Sequence, residues 1–283
     1  MAVTAESIRQ LASAAREKIK VRRLEFDFSD SIRDYWADDN PVLTAFLTAL
    51  SVSFPPGERY FIDSVRHYQN EIEDPELLEQ IRAFIGQEAN HSREHAALND
   101  LMERKGYPIS EFQKKIEERI AWLKENSTPE QNLARTAALE HFTAIMAGTM
   151  LRHPDVLASM DPEMEKIWAW HAIEEIEHRS VAYDVYQLKV GDEALRRRTM
   201  RVITFYFILL NSLRTWEFLK ITGNRFNLRA WGHAVNVLWG RPGILRKIVP
   251  EYLSYYRKGF HPSQQDMSSL VERARQKYLK DDA

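Results

Sequence analysis

Twice in this chain an Asp-Pro-Glu triplet opens a run of helical period and, fourteen residues after the Asp, delivers a Glu-x-x-His: Asp74 leads to Glu88 and His91, Asp161 to Glu175 and His178. The triplet is a helix start. Its Asp can accept from the first free N–H groups, its Pro supplies the first helical φ, and its Glu meets the positive end of the dipole. With 26 Glu and 9 His, chance supplies about 0.8 Glu-x-x-His motifs, so the pair alone carries little weight. The weight comes from register, because DPELLEQIRAFIGQEANH falls on DPEMEKIWAWHAIEEIEH under a shift of 87 residues without a gap. A decayed internal duplication accounts for this. Each copy also has an earlier Glu, Glu58 standing 30 residues before Glu88 and Glu140 standing 35 before Glu175.

The rest of the chain reads as helices around these two. The helix begun at Pro75 should run to Gly106, and that begun at Pro162 to Gly191; shorter segments are expected at 110–124 and 129–151. Upstream, PVLTAFLTALSVSF meets Pro55-Pro56-Gly57, which should kink or break it before a helix over 57–72. Past Gly191 come a helix to about Thr222, NLRAWGHAVNVLW, RPGILRKIVPEYLSYYRKGF and a polar tail. Only 10 glycines occur in 283 residues, strand-like alternation is not sustained, and no Gly/Ser-rich linker divides the chain. The expectation is one all-α domain over 1–283, with a bundle at about 41–191 and further helices at about 192–260. The start, MAVTAESIRQLASAAREKIK, is amphipathic and lacks a signal-type apolar core, so a cytoplasmic location is expected.

Cysteine is absent, so any metal must be held by His and carboxylate. The charge, 39 Lys+Arg against 41 Asp+Glu, gives no overall basic field for nucleic acid. Glu and His at i and i+3 share a helical face. Glu58, Glu88, His91, Glu140, Glu175 and His178 therefore form the ligand set of a four-helix di-iron or di-manganese bundle, in which four carboxylates balance two divalent cations. Glu140 lies in TAALEHFTAIMAG, where a carboxylate is costly without a partner; the case for Glu58 rests on spacing. At 100° per residue His171 sits within about 40° of Glu175 and His178 and can reach the same metals, while Glu177 points away. The other reading of His171 is a hydrogen-bonded core histidine. His95 shares the stripe of Glu88 and His91 and is assigned to the ligands' surroundings or the pocket lining. Thr143, Ala144, Ala147 and Gly148 keep small side chains near the metals, leaving room for dioxygen or substrate; close helix packing explains them equally well.

The stretches FPPGERYFIDSVRHY, IRAFIGQEANHSREH, LEHFTAIMAG, WHAIEEIEHRS and GFHPSQQD resemble the ferritin-like family labelled "predicted metal-dependent hydrolase", from about Val21 to Asp266. That resemblance implies a ferritin-like four-helix bundle with extra N- and C-terminal helices. His171-x3-Glu175-x2-His178 is also similar to the second ligand helix of di-iron arylamine N-oxygenases, which carries an extra His one turn earlier.

Two iron ions, with manganese as the alternative, and O2 as co-substrate make an oxygen-activating oxidoreductase of a small, partly apolar substrate the leading expectation, with an electron donor as partner. A two-metal hydrolase is the alternative, with Glu94, Glu174 and His95 as candidate bases; an iron-binding protein without enzymatic activity is the third. The run Val202 to Leu213 is too short to span a bilayer, which takes about 20 residues. LRRRTMR followed by VITFYFILLNSLRTWEFLK, within 195–220, suits a helix on a membrane surface; the reading preferred from sequence is a fifth helix buried against the bundle or at a homodimer interface.

Overall fold

The computed structural model describes residues 19–279, and among them every regular element is helical. The amphipathic start expected at 1–18 lies outside the described residues. Helix α1 (Pro41–Ser51) is followed by α2 (Phe54–Gln69), α3 (Pro75–Arg104), α4 (Ile109–Glu125) and α5 (Pro129–Leu151). A short α6 (Pro154–Ala158) precedes α7 (Pro162–His178), α8 (Val181–Lys189) and α9 (Glu193–Ile221). The chain closes with α10 (Leu228–Trp239), α11 (Ile244–Ser254), a 3-10 turn at Pro262–Gln264 and α12 (Ser268–Tyr278).

Local chemistry explains the boundaries. Asp74 accepts from the N–H groups of Glu76 and Leu77, as the triplet implied. Its counterpart Asp161 departs from that pattern: it caps nothing with its side chain and instead accepts from the backbone N–H of Arg33 at 3.3 Å. Pro55 and Pro56 fall in the first turn of α2, where a missing N–H costs nothing, so the break comes before them at 52–53. The single helix expected from Pro162 to Gly191 is divided at Arg179 and Ser180 into α7 and α8; the Arg179 side chain donates to the carbonyl of Ile176 and to that of Gln265. The expected polar tail contains α12, which buries Leu270, Val271 and Ala274 on the side facing α7 and α5.

Four helices build the centre. α2 packs on α3, α5 packs on α7, and the two pairs meet along α2–α5 and α3–α7, the arrangement that an ancestral duplication of a helix pair would leave. α9 lies against α1 and α5, α11 against α5, and α10 against α1 and α11. Residues 19–40 run without regular structure, and their path over α3 needs Gly86: a Cβ there would stand 2.9 Å from Val21 Cγ2.

Candidate metal centre

The bundle's interior is acidic and sealed. Glu58 on α2, Glu88 and His91 on α3, Glu140 on α5, and His171, Glu175 and His178 on α7 are all at most 4% exposed. Glu58, His91 and His171 form one group, and Glu88, Glu175 and His178 another, each with ligand-type atoms within 4.8 Å of one another. Donors around one cation at ~2.1 Å stand ~3–4 Å apart, so each group is close to a coordination shell. Glu140 joins the second, its Oε2 3.3 Å from His178 Nε2, while Glu88 Oε1 lies 3.2 Å and Glu175 Oε1 3.6 Å from the same nitrogen.

The hydrogen bonds that a buried cluster needs are missing on its inner side and present on its outer side. Both carboxylate oxygens of Glu58, Glu88 and Glu140, with Glu175 Oε2, His91 Nδ1 and His178 Nε2, have no hydrogen-bond partner. Buried polar atoms cost several kcal/mol when left this way, and nine of them pointed at one another are explained by cations. The donors are nitrogen and oxygen only, a set for divalent cations that need no thiolate. The outer nitrogens are held: His178 Nδ1 donates to Gln87 Oε1 at 2.9 Å, and His91 Nε2 donates to Glu174 Oε2 at 3.0 Å. Gln87 is oriented in turn by donating Nε2 to Glu177 Oε2 at 2.8 Å and to the Lys20 carbonyl at 3.1 Å. Arg22, buried, bridges Glu174 at 3.1 Å and Glu177 at 2.9 Å.

Protonation follows the same geometry. Burial pushes Glu58 and Glu88 well above the usual carboxylate range and Glu140 up to about 7. Glu175 resists that burial and is held well below the range by His178 and His171. Against desolvation, which would lower it, Glu174 and Glu175 raise His91 to about 10, and Glu175 and Glu140 raise His178 well above the ordinary value. His171 is lowered to about 4 by burial and by His91, and His95 is lowered well below the ordinary imidazole value by burial and by His171. Protons therefore occupy the cluster where cations would.

His95 lies behind the cluster: its Nε2 is 2.6 Å from His171 Nδ1 and its Nδ1 is 2.9 Å from Ser51 Oγ, so it touches a candidate ligand and lies outside both groups. Of the small residues on α5, Thr143 and Ala147 line a cavity of about 90 Å³. Ala144 is buried outside that lining, and Gly148 lies under Met267, whose Sδ would stand 3.1 Å from a Cβ at that position. The cavity ends at His171 and Glu175 and is walled by Leu47, Leu50, Phe54, Met146 and Met150. A water needs roughly 10–15 Å³ on this measure, so several waters or one small organic molecule fit. Of the residues suggested as bases, Glu174 is held by His91 and Arg22, His95 by His171 and Ser51, and Glu94 by Arg93 at 2.7 Å.

Sequence reasoning did not find Arg22, Gln87, Ser51 or Asn99. Only Gln87 carried a signal, its position beside Glu88, and adjacency in a helix says nothing about a contact to His178. His261, which had no place in the spacing, pairs with buried Asp184 at 2.8 Å, away from the cluster.

The family model described as "Predicted metal-dependent hydrolase" matches residues 20–266. No curated protein and no solved structure matches the chain.

Proposed function

The chain belongs to the predicted metal-dependent hydrolase family, and from that premise we propose that it is a two-metal hydrolase of a small, largely apolar substrate, built in a ferritin-like bundle. The observation that carries this reading is a cluster with nine unpartnered buried donor atoms, whose Glu175 and neighbouring His171 also line an apolar cavity. Glu58, His91 and His171 would hold one cation; Glu88, Glu140, Glu175 and His178 would hold the second. Two divalent cations bound there would polarise a substrate oxygen and lower the pKa of water. The protein's own part is positional. Gln87 and Glu174 hold His178 and His91 with their inner nitrogens facing the carboxylates, and Phe54, Leu50 and Met146 exclude bulk water while receiving the apolar part of the substrate.

A second reading, oxidation of such a substrate by O2 at two irons with an external electron donor, is favoured by one specific observation. Glu174, His95 and Glu94 are all engaged, which leaves none of the three suggested bases free. One experiment separates the readings. Metal-depleted protein is reloaded with manganese, zinc or ferrous iron and given aryl and alkyl esters. Chelator-sensitive hydrolysis that is lost in Glu88→Gln and His178→Ala supports the first reading. Absence of hydrolysis with every metal, together with an absorbance transient when the ferrous form meets O2, replaces it with the second.

A further inference from the structure

Helix α9 has two apolar faces, and the described residues cover only one of them. Met200, Phe218 and Leu219 are buried toward the bundle. On the opposite side Val202, Phe205, Tyr206, Leu209, Leu213 and Trp216 are exposed by 37–61% and, at 100° per residue, fall within about 60° of a common line. The stripe is about 21 Å long at 1.5 Å per residue. It continues into Phe226, 79% exposed, whose ring centroid lies 5.9 Å from that of Trp216. Among the described residues all the conspicuously exposed large apolar side chains except Val21, Trp122 and Leu188 lie in 202–253. A soluble surface does not carry such concentration without a use.

The charge of the same segment says what fits it. Residues 196–260 contain 13 Lys+Arg and only two acids, in a chain whose total is −2. Both acids are already paired, Glu217 with Arg225 at 3.1 Å and Glu251 with Arg152 at 3.0 Å. Arg198 stands four residues before Val202 and Lys220 four after Trp216, so exposed cations close both ends of the stripe on its own face, with Arg201 at its flank. A second copy set on this face would bring these cations together with no free acid in the segment to answer them, and an apolar stripe offers nothing to a nucleic-acid backbone.

We propose that the outward face of α9, with Phe226, docks on an anionic lipid bilayer, the apolar and aromatic side chains entering the headgroup boundary and Arg198, Arg201 and Lys220 meeting lipid phosphates. The chain lies on the membrane and does not span it; no helix among the described residues is long and apolar enough to cross one.

The test is co-sedimentation of the full chain with vesicles of phosphatidylcholine, with and without phosphatidylglycerol, at low and high salt. The expected result is binding to the anionic vesicles that falls as salt rises. Leu209→Glu/Leu213→Glu should abolish it, and Arg198→Glu/Arg201→Glu should weaken it by about tenfold or more, with melting temperature and metal content unchanged in both variants. No binding to anionic vesicles at low salt overturns the proposal, as does binding that survives the double Leu variant. A dimer in light scattering that Leu213→Glu dissociates also overturns it, because the face would then be covered by a second copy.

Discussion

His95 Nε2 and His171 Nδ1 stand 2.6 Å apart and share one proton, and the partners behind His95 decide which ring owns it. Asn99 Nδ2 donates to the Ser51 carbonyl at 3.0 Å, which turns Asn99 Oδ1 toward Ser51 Oγ, 2.9 Å away. Ser51 must then donate to Asn99 and accept from His95 Nδ1. Both imidazoles are lowered and neutral, so each carries one N–H. With a cation in place of a proton on Nε2, His95 Nε2 would therefore be the acceptor, His171 would carry its proton on Nδ1, and its Nε2 lone pair, 2.8 Å from Glu175 Oε1, would be directed into the cluster; without a cation the ionised Glu175 competes to draw that proton onto Nε2. The chain Asn99–Ser51–His95 sets the tautomer in which His171 can bind a cation.

Ser51→Ala removes the acceptor that fixes this tautomer. The expected result is a loss of about 10–100-fold in affinity for one of two cations, with the other unchanged, read by calorimetric titration. Equal weakening of both sites, or of neither, would show that His171 binds without this support.

Metal binding must displace protons. Glu58, Glu88, His91 and His178 are all raised in the metal-free fold, and Glu140 is raised to about 7. Titration with a divalent cation near pH 7 should release protons, detected as a heat that changes with buffer ionisation enthalpy, and affinity should still be rising between pH 6 and 8. Ordinary carboxylates, near 4.5, would give a flat response there.

The same raised groups fix the pH dependence of stability. A raised carboxyl or imidazole binds more protons folded than unfolded, so its contribution is full below the unfolded value and is lost as pH rises through the folded one. Metal-free protein should melt at progressively lower temperature from pH 6 to 8. Glu175 is depressed, so its contribution is present above the ordinary carboxylate range and lost only at lower pH. Cation at a hundredfold excess over its dissociation constant should restore about 2.7 kcal/mol and flatten the curve. Calorimetric scans with and without manganese make the comparison.

Arg22 lies on the irregular segment yet pairs with both Glu174 and Glu177, whose side chains are buried, Glu177 also taking Arg275 at 2.8 Å. Arg22→Met removes one cation from the two carboxylates, leaving Glu177 to Arg275 and Glu174 to His91 at 3.0 Å, and should cost about 1–3 kcal/mol in denaturant unfolding. It should also weaken metal binding through Glu174, which holds His91. A cost near zero would mean that water reaches these carboxylates.

Much of this arrangement was legible because helical period and spacing act along the chain. The Glu-x-x-His pairs, Glu58, Glu140 and His171 all project into one interior, where register had placed the pairs, spacing Glu58 and Glu140, and helix angle His171. What was not legible depends on contacts across the chain. The irregular segment at 19–40 has no period, so nothing marked Arg22 as the partner of two glutamates on α7. Ser51 and Asn99 are ordinary residues on α1 and α3 until packing brings them to His95. The helix break at Arg179 and Ser180 has no proline or glycine to announce it. The polar composition after 260 concealed Leu270, Val271 and Ala274, which fall on one face of α12 only once that helix has formed.

The central claim is that the inner atoms of Glu58, Glu88, His91, Glu140, His171, Glu175 and His178 hold two cations. Metal analysis of the chain after equilibrium dialysis against ferrous iron or manganese tests it most directly. Two ions per chain, falling to one or none in Glu140→Ala and His178→Ala variants that still melt cooperatively, is the predicted result. No retained ion, or two retained regardless of those substitutions, would contradict it.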